Sequence, residues 1–561
     1  MTDTLTIALA QLNPTVGDVA GNAARVREAR REAAEAGCDL ILFSELFLSG
    51  YQPEDLVLKP FFHDKLEEAI AALADETSDG GPAVLLPTPR RTEEGIFNAV
   101  LLLDEGRIAA ERYKHDLPNY GVFDEKRVFT PGPMPGPINF RGVRIGVPIC
   151  EDVWTPDVVE CLEESGAELF LVPNGSPYEA EKEDFRLQLV LNRVAESGLP
   201  MVYLNQIGGQ DELVYDGASV VVNGDCGLAL RLPAFRETIA VTRWRRDGEG
   251  WVCEAGSQAK PLDRHQSMYH AMVLGLRDYV GKNGFPGVVL GLSGGIDSAV
   301  SAAVAVDALG PDKVHCVMMP SPYTSRESLE DAAAAADLLG ARLDEVSIEP
   351  AMQAFEGMLA PIFADAPPDV TEENIQSRAR GLVLMAISNK QGKMLLTTGN
   401  KSEMSVGYAT LYGDMCGGYS VLKDIYKTDV FAIAFLRNRG KQALGGDGTG
   451  AALLGPEGAA MPERSITKPP SAELKPDQKD EDTLPPYEML DDILFCLIER
   501  EMSVPEITAR GHDAETVQKV WRQLDLSEYK RRQAPPGVKV TPRAFGRDRR
   551  YPITNAFRRI L

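Results

Sequence analysis

The chain has 561 residues, of which 44% are hydrophobic and 25% charged, and this composition is ordinary for a globular protein with more than one core. A formal net charge of -25 argues against duplex nucleic acid and anionic membrane surfaces as partners, because both attract clustered cations. The chain starts without a signal-peptide pattern, and no apolar run approaches the roughly 20 residues that span a bilayer. Eight scattered cysteines and six unclustered histidines predict a cytoplasmic protein with reduced thiols and no zinc site.

Up to about residue 245, short apolar runs alternate with amphipathic stretches, which predicts an α/β domain with many strands. The amphipathic stretches predict helices over 22–36 and 185–197. The polar, glycine-containing residues 246–263 are predicted to be a linker. The apolar runs predict strands over 4–10, 40–43, 83–86, 99–103, 143–149, 169–172, 202–205 and 219–222.

Residues 264–561 are predicted to form a second α/β domain. Its alternating pattern predicts a parallel sheet, which binds ligands at the carboxyl ends of its strands. Residues 438–486 are rich in Gly, Ala, Pro and charge, and we expect them to form a long mobile loop. The predicted helices are 264–280, 298–309 and 328–339, and the predicted strands are 287–292, 314–319 and 342–347.

Three reactive groups in the first domain each follow a predicted strand. Glu45 lies in LILFSELFLSGY, Lys114 in ERYKHDLPNYGVFDE, and Cys150 ends VRIGVPIC. Taken singly, each has a plain structural explanation as a solvated or core residue. Together they are suited to amide hydrolysis through a thiol: Glu45 takes the proton from Cys150, and Lys114 stabilises the oxyanion. Glu125 is expected to hold the lysine or steer the substrate.

The three motifs, in this order and spacing, resemble the carbon–nitrogen hydrolase (nitrilase) superfamily over about residues 4–245. The resemblance implies an α/β/β/α sandwich and a Glu–Lys–Cys catalytic set. It also implies that Tyr120, Ser176 and Lys182 hold a glutamine substrate.

The stretch VVLGLSGGIDSAVSAAVAVDALG contains a strand, a glycine turn and the start of a small-residue helix. Glycines allow close approach of the backbone to an anion, and a helix N-terminus presents free amides to phosphate. The plain alternative is a glycine turn with Asp297 or Ser298 as the N-cap. Neither GxxxxGK[ST] nor GxGxxG is present, which disfavours a P-loop and a hydride-transfer dinucleotide site.

SGGIDS resembles the pyrophosphate loop of the N-type ATP pyrophosphatases, which transfer AMP to a carboxylate or carbonyl. Clustered phosphates also require a hard cation such as Mg²⁺. Further segments offer contacts for a phosphate-rich substrate, and the basic 527–552 region is either such a contact or a solvated surface. These candidates are Thr398, Glu403, Asn374, Arg378, Arg380, Lys423 and Lys427.

These segments resemble the NAD synthetase family, and the whole chain resembles its glutamine-dependent branch. The resemblance implies a C-terminal Rossmann-like, parallel-sheet ATP pyrophosphatase domain and amidation of deamido-NAD to NAD by an assembled homo-oligomer. Asn374, Glu403 and Lys530 would then bind deamido-NAD, Lys427 and Ser471 would be further nucleotide contacts, and Asp297 and Glu403 would bind Mg²⁺. Leu411 departs from the lysine of the shorter family members. The implied ATP contacts are Gly291, Leu292, Ser293, Gly294, Gly295, Ile296, Asp297, Ser298 and Thr398.

The fusion of the two halves suggests that ammonia passes from Cys150 to the adenylate site inside the protein, because ammonia in water is mostly unreactive ammonium. Two alternatives stay open. One is a purine-nucleotide aminating ligase, although such enzymes carry a Cys–His–Glu glutaminase. The other is a nucleotide or glutamine sensor with inactive sites, although the trio and SGGIDS are intact.

Overall fold

The structure is a computed structural model that describes residues 3–248, 250–364, 366–445, 449–476 and 478–557. The chain folds as two compact units. The first comprises Met1–Gln210, Val214–Leu262 and Gly448–Ala451, and the second comprises Asp211–Leu213, Asp263–Asp447 and Ala452–Leu561. Within the described ranges, no helix has the length and apolarity that crossing a bilayer demands.

Two sheets dominate the first unit: a seven-stranded sheet in the order β15-β14-β1-β2-β3-β4-β5 and a six-stranded sheet in the order β13-β12-β9-β8-β7-β6. Strands β10 and β11 form a separate hairpin. The helices are α1 (Val19–Glu35), α2 (Pro60–Glu76), α3 (Asp157–Glu164) and α4 (Lys182–Ser197). The strands are β1 (Thr4–Gln11), β2 (Leu40–Phe43), β3 (Ala83–Arg91), β4 (Ile96–Asp104), β5 (Arg107–Tyr113), β6 (Ile138–Phe140), β7 (Val143–Gly146), β8 (Leu169–Asn174), β9 (Met201–Asn205), β10 (Ile207–Gln210), β11 (Leu213–Asp216), β12 (Val220–Val222), β13 (Leu228–Arg231), β14 (Thr238–Asp247) and β15 (Gly250–Cys253).

The two sheets pack face to face, and helices cover both outer faces. Side chains alternate along β1, so that Ile7 and Leu9 enter the core between the sheets while Ala8 and Ala10 face α1 and α2. A third core joins the six-stranded sheet to α3 and α4. Because both faces of each sheet are buried, the central strands are continuously apolar. The result is the predicted α/β/β/α sandwich.

Several boundaries in this unit differ from the sequence predictions, and β3 and β4 are longer than predicted because β3 runs to Arg91 and β4 starts at Ile96. β7 ends at Gly146 rather than at residue 149, because Pro148 has no N–H with which to extend the pairing. Residues 246–263 are not wholly a linker, since β14 continues to Asp247 and β15 (Gly250–Cys253) pairs with it at the edge of the larger sheet.

The second unit contains a five-stranded parallel sheet in the order β18-β17-β16-β19-β20. α6 packs on β16 and β17, and α9 packs on β16 and β19. Its strands are β16 (Val288–Gly291), β17 (Val314–Met318), β18 (Arg342–Glu345), β19 (Met394–Thr397) and β20 (Tyr419–Ser420). Its helices are α5 (Arg264–Lys282), α6 (Ile296–Leu309), α7 (Arg326–Leu339), α8 (Glu349–Phe363), α9 (Val370–Gln391), α10 (Lys401–Val406), α11 (Lys427–Asn438), α12 (Glu463–Thr467), α13 (Tyr487–Ile498), α14 (Val504–Ala509), α15 (Ala514–Leu526) and α16 (Glu528–Arg531).

The segment 438–486 is less irregular than its composition predicts. It contains α12 and short 3-10 turns at Lys441–Leu444 and Asp480–Asp482, and Ile466 and Asp480 are buried. Arg464 of α12 pairs with the buried Asp331 of α7, which gives this polar segment a fixed anchor. Residues 446–448 and 477 of the predicted loop lie outside the described residues.

Candidate active sites

Each group of the predicted catalytic trio follows a strand of the first unit. Glu45 lies two residues after β2, Lys114 directly follows β5, and Cys150 lies four residues after β7, at the start of a 3-10 turn. Glu45 and Lys114 are fully buried, and Cys150 is 3% exposed. A buried lysine and a buried glutamate require partners, because an uncompensated charge is costly in the protein interior.

Lys114 forms the centre of the charged cluster. Its Nζ donates to Glu45 Oε1 at 2.7 Å and to both carboxylate oxygens of Glu125 at 3.0 Å. Burial disfavours the ammonium, but Glu125, Glu45 and Cys150 outweigh this effect and raise the pKa of Lys114 well above its usual range. Lys114 is therefore a fixed cation, suited to stabilising an oxyanion rather than to exchanging protons.

Glu45 is oriented by three donors. Its Oε1 also accepts from Asn98 Nδ2 at 2.8 Å, and its Oε2 accepts from the Gly175 amide at 2.9 Å. Asn98 is a fully buried polar residue on the otherwise apolar β4, and that position is the only sequence signal that could have identified it. The orientation of Glu45 is thus fixed from β4, β5 and the loop after β8.

The backbone places Cys150 in an uncommon conformation, with a φ of +45°. A non-glycine residue in the left-handed region is strained and persists where its surroundings hold it, which is frequent at catalytic turns. Burial, followed by the charge on Glu45, raises the pKa of the Cys150 thiol well above its usual range, whereas Lys114 acts to lower it. The resting residue is therefore a neutral thiol that needs a base.

Glu125 lies on the far side of Lys114 and accepts from Tyr51 Oη at 2.8 Å. Burial raises the pKa of Glu125 to about 7, with Lys114 opposing the rise and Glu45 adding to it. Its proton therefore exchanges near neutral pH, where it can influence the charge balance of the site.

Aromatic and charged side chains form the rim of this site. Tyr120 is 53% exposed, and its hydroxyl contacts Glu151 Oε1 and Oε2 at 3.0 and 3.1 Å. Lys182 lies over the rings of Phe123 and Trp154, at 5.8 and 5.9 Å from their centroids. The structure thus brings Tyr120 and Lys182 to one rim, and it adds Glu151, which sequence reasoning missed although it is adjacent to Cys150.

Ser176, the third predicted glutamine contact, is buried next to Gly175. Its backbone is held by Asn205, whose Oδ1 accepts from the Ser176 amide at 2.9 Å and whose Nδ2 donates to the Ser176 carbonyl at 3.1 Å. Gly175 also supplies the amide that binds Glu45, so the loop after β8 links the predicted glutamine contact to the predicted base.

In the second unit, the SGGIDS loop joins β16 to α6 at the carboxyl edge of the parallel sheet. Ser293 and Ser298 hydroxyls lie 3.1 Å apart, and Ser298 Oγ donates to Gly295 O at 2.9 Å, which closes the loop on itself. Gly294 has a φ of +82°, and a Cβ there would lie 2.2 Å from Ser328 O. Only glycine fits at position 294. The first amides of α6 have no partner within the helix and are available to an anion.

Two carboxylates and a lysine meet beside this loop. Lys427 Nζ pairs with Asp297 and lies 3.1 Å from Glu403 Oε1, and Asn400 Nδ2 donates to Asp297 Oδ1 at 2.9 Å. Burial raises the pKa of Glu403 to about 8, with Lys427 opposing the rise and Asp297 adding to it. The described residues contain no cluster of three or more metal-ligating side chains. Asp297 and Glu403 nevertheless fit Mg²⁺, which takes one or two carboxylates and obtains its other ligands from phosphates and water.

A small pocket opens beside Glu403, at the carboxyl ends of β19 and β20. Lys423 lines it and is 9% exposed, and no described residue forms a hydrogen bond or ion pair with its amine. Burial lowers the pKa of Lys423. Thr397 and Gly399, which flank the predicted ATP contact Thr398, line the same pocket.

The other predicted substrate contacts have protein partners. Asn374 Oδ1 accepts from Thr410 Oγ1 at 3.0 Å, and Lys530 Nζ donates to the Gly407 and Ala409 carbonyls at 2.7 and 2.6 Å. Ser471 Oγ donates to the carbonyl of Gln478 within its own segment. The backbone carbonyl of Leu411 accepts a hydrogen bond from Arg378 Nε at 3.2 Å.

Several cations of the basic 527–552 region are not free to bind phosphate. Arg531 and Arg549 pair with Glu528, and Lys539 pairs with Asp548; all three cations are buried. These pairs hold the C-terminal segment in place, so this part of the region is neither a solvated surface nor an open phosphate site.

Comparison with known proteins matches the two units to two families. The carbon–nitrogen hydrolase family matches residues 6–248, and the NAD synthase family matches residues 268–534. Over their whole lengths, the chain is 52% identical to the glutamine-dependent NAD(+) synthetase of Rhodobacter capsulatus. It is 45% identical to that of Acinetobacter baylyi, with 98% of each chain covered. The solved structure of glutamine-dependent NAD+ synthetase from Acinetobacter baumannii in complex with ADP is 41% identical, with a TM-score of 0.78 over 98% of this chain and 99% of that one.

Proposed function

The chain belongs to the glutamine-dependent NAD(+) synthetases, and from that premise we propose how its residues divide the reaction. The enzyme is a carbon–nitrogen ligase that uses ATP and the amide nitrogen of glutamine to convert deamido-NAD to NAD. The first unit hydrolyses glutamine, and the second unit activates and amidates the acceptor. The buried Glu45–Lys114–Glu125 cluster beside Cys150 is the main support for assigning glutamine hydrolysis to the first unit.

Glutamine hydrolysis starts with a proton transfer. Glu45 takes the proton of Cys150, and the thiolate sulfur attacks the amide carbon, which forms a tetrahedral intermediate. Lys114 stabilises the negative oxygen. Glu45 returns the proton to the leaving nitrogen, the C–N bond breaks, and ammonia departs. Water, deprotonated by Glu45, then cleaves the thioester, which releases glutamate and restores the thiol.

Charges at the rim support recognition of an amino-acid amide. Lys182 supplies a cation for the α-carboxylate, and Glu151, held by Tyr120, supplies an anion for the α-ammonium. Ser176 and the ordered loop after β8 lie close to the base and complete the binding site. A simple amide lacks both charged groups and would bind less tightly.

Acceptor activation takes place at the SGGIDS loop. Residues Gly291–Ser298 and Thr398 bind ATP, and the amides at the start of α6 hold its leaving pyrophosphate. Asp297 and Glu403 would hold Mg²⁺, which would neutralise phosphate charge. Lys427 shares that task, because its amine already lies between the two carboxylates.

Deamido-NAD binds next to this loop. Asn374, Glu403 and Lys530 contact the dinucleotide, and Ser471 is a further nucleotide contact. Lys423 faces the pocket beside Glu403 and has no hydrogen-bond or ion-pair partner among the described residues, and its charge suits an anionic group of the substrate. The carboxylate of deamido-NAD attacks the α-phosphorus of ATP and releases pyrophosphate. Ammonia then attacks the acyl adenylate, AMP leaves, and NAD forms.

Four further properties belong to this proposal. Ammonia reaches the adenylate without release to solvent, and an external ammonia trap that stopped glutamine-driven NAD synthesis would refute this delivery. The described residues of segment 438–486 move during turnover. The enzyme works as a homo-oligomer, which light scattering of the purified protein tests. It acts in the cytoplasm, where its eight free cysteines stay reduced.

The assignment of the first unit is tested with Cys150→Ala and two nitrogen donors. With ATP, magnesium and deamido-NAD, the wild type should form NAD from glutamine and from ammonium, whereas the variant should form it from ammonium alone. Glutamine-driven NAD synthesis by the variant would remove Cys150 from the mechanism. Cys226→Ala, which changes an exposed cysteine, serves as the matched control.

A further inference from the structure

A buried carboxylate next to the nucleophile has no part in the chemistry described above. Asp152 lies two residues after Cys150 and is fully buried. No described lysine or arginine forms an ion pair with it, although the charge of Lys114 acts on it. Burial raises the pKa of Asp152 to about 7, and the amides of Asp116 and Ile149 together with Lys114 oppose this rise. An ionised group in such a place is expensive unless several donors satisfy it.

The donors of Asp152 come from the two segments that carry the catalytic groups. Its Oδ2 accepts from the Ile149 amide at 2.9 Å, directly before Cys150. Its Oδ1 accepts from the His115 and Asp116 amides at 3.0 and 2.8 Å, directly after Lys114. One side chain therefore joins the nucleophile turn to the segment of the catalytic lysine.

This bridge matters because both segments need external support. Cys150 has a φ of +45°, a strained conformation that the surrounding structure must maintain. The segment after Lys114 has left β5, so its amides have no strand to pair with. Without Asp152, three amides would lose their acceptor, and a buried amide that lacks one strongly favours a rearranged backbone.

We propose that Asp152 is a positioning residue of the glutaminase site, which holds the Cys150 turn against the Lys114 segment so that thiol, amine and Glu45 stay aligned. This inference rests on the proposed function of Cys150. Asp152 does not touch glutamine, so it acts on the rate of the chemical step and leaves binding at the rim intact.

The test uses the full-length enzyme with Asp152→Ala, Asp152→Asn and the control Asp157→Asn, which changes an exposed acid at the start of α3. Three quantities are measured: kcat and KM for glutamine hydrolysis, NAD formation from ammonium, and the rate at which iodoacetamide alkylates the Cys150 peptide. Ammonium-dependent synthesis reports on the fold independently of the glutaminase site.

We expect Asp152→Ala to lower kcat for glutamine about 100-fold, since a misplacement near 1 Å costs that much, while KM stays within about threefold. Asp152→Asn should lower kcat for glutamine about tenfold. The amide oxygen of asparagine replaces one of the two carboxylate acceptors, but its NH₂ group lies against a backbone N–H donor. Alkylation of Cys150 should slow in the same order. Ammonium-dependent synthesis and Asp157→Asn should stay within about twofold of wild type.

The inference is overturned if Asp152→Ala keeps the wild-type kcat, if only KM rises, or if ammonium-dependent synthesis falls in parallel with glutamine hydrolysis. Failure of the underlying proposal has a different signature, because Cys150→Ala would then still use glutamine. Loss of glutamine hydrolysis in Cys150→Ala together with full activity in Asp152→Ala would reject the positioning role alone.

Discussion

Replacing Lys114 by methionine removes the cation at the centre of the glutaminase site while keeping a side chain of similar length. Lys114 contacts Glu45 at 2.7 Å and Glu125 at 3.0 Å, with all three groups buried. At an effective dielectric constant of about 20, each such pair has a gross attraction of about 6 kcal/mol, which desolvation largely offsets. Breaking a buried pair by removing one partner costs about 3–5 kcal/mol, and we expect a loss of stability of that size.

The loss should depend on pH in a defined direction. Without Lys114, the pKa of Glu125 rises above its wild-type value of about 7. At about pH 6 the carboxyl is protonated and the defect is partly relieved, whereas at about pH 8.5 it must ionise without a cation, so the defect is larger. Thermal unfolding of Lys114→Met and the exposed control Lys65→Met at both pH values measures this effect.

Activity provides the second measurement on the same variant. Lys114→Met should lower glutamine-dependent NAD synthesis by about 100- to 1000-fold, as loss of oxyanion stabilisation typically does, while ammonium-dependent synthesis stays near wild type. An unfolding temperature equal to that of wild type at both pH values, with glutamine turnover reduced less than about tenfold, would refute the buried charge cluster.

Three shorter predictions concern individual groups. Burial raises the pKa of Glu125 to about 7, so wild-type glutamine hydrolysis should fall below that pH as this carboxyl is protonated, and Glu125→Gln should be slower and lose this inflection in its pH–rate profile. Gly294→Ala should raise KM for ATP about tenfold to 100-fold, because the new Cβ would lie 2.2 Å from Ser328 O and because residue 294 has a φ of +82°. The control Gly281→Ala should leave KM for ATP unchanged, because its Cβ would meet no atom within 4 Å. EDTA should stop NAD synthesis from ammonium but spare glutamine hydrolysis, and loss of both activities would contradict a metal confined to the second site.

Much of the fold and of both sites could be predicted from local sequence, because the reactive groups follow directly after strands. β2, β16 and β17 follow directly from their apolar runs, and the α/β/β/α fold and the parallel sheet are confirmed. SGGIDS was recognisable because glycine, hydroxyl and helix signals fall within a few residues of one another.

Other features could not be predicted from the sequence, because they depend on contacts between residues that are far apart in the chain. β15 has only four residues inside a polar, glycine-containing segment, and it forms because β14 offers it an edge. Segment 438–486 contains ordered turns because Arg464 finds Asp331, a partner more than a hundred residues away. Asn98 and Asp152 orient the glutaminase site through contacts from distant strands and loops, which no local pattern encodes.

The division of labour between the two units is tested most directly by comparing Cys150→Ala with Asp297→Asn. Glutamine hydrolysis and ammonium-dependent NAD synthesis are measured separately for both full-length variants. We expect the two activities to be lost separately. Cys150→Ala should lose only glutamine hydrolysis, and Asp297→Asn should lose NAD synthesis, by at least about 100-fold, while it still hydrolyses glutamine. If either variant lost both activities, or if Asp297→Asn made NAD at the wild-type rate, the assignment of the two sites would be contradicted.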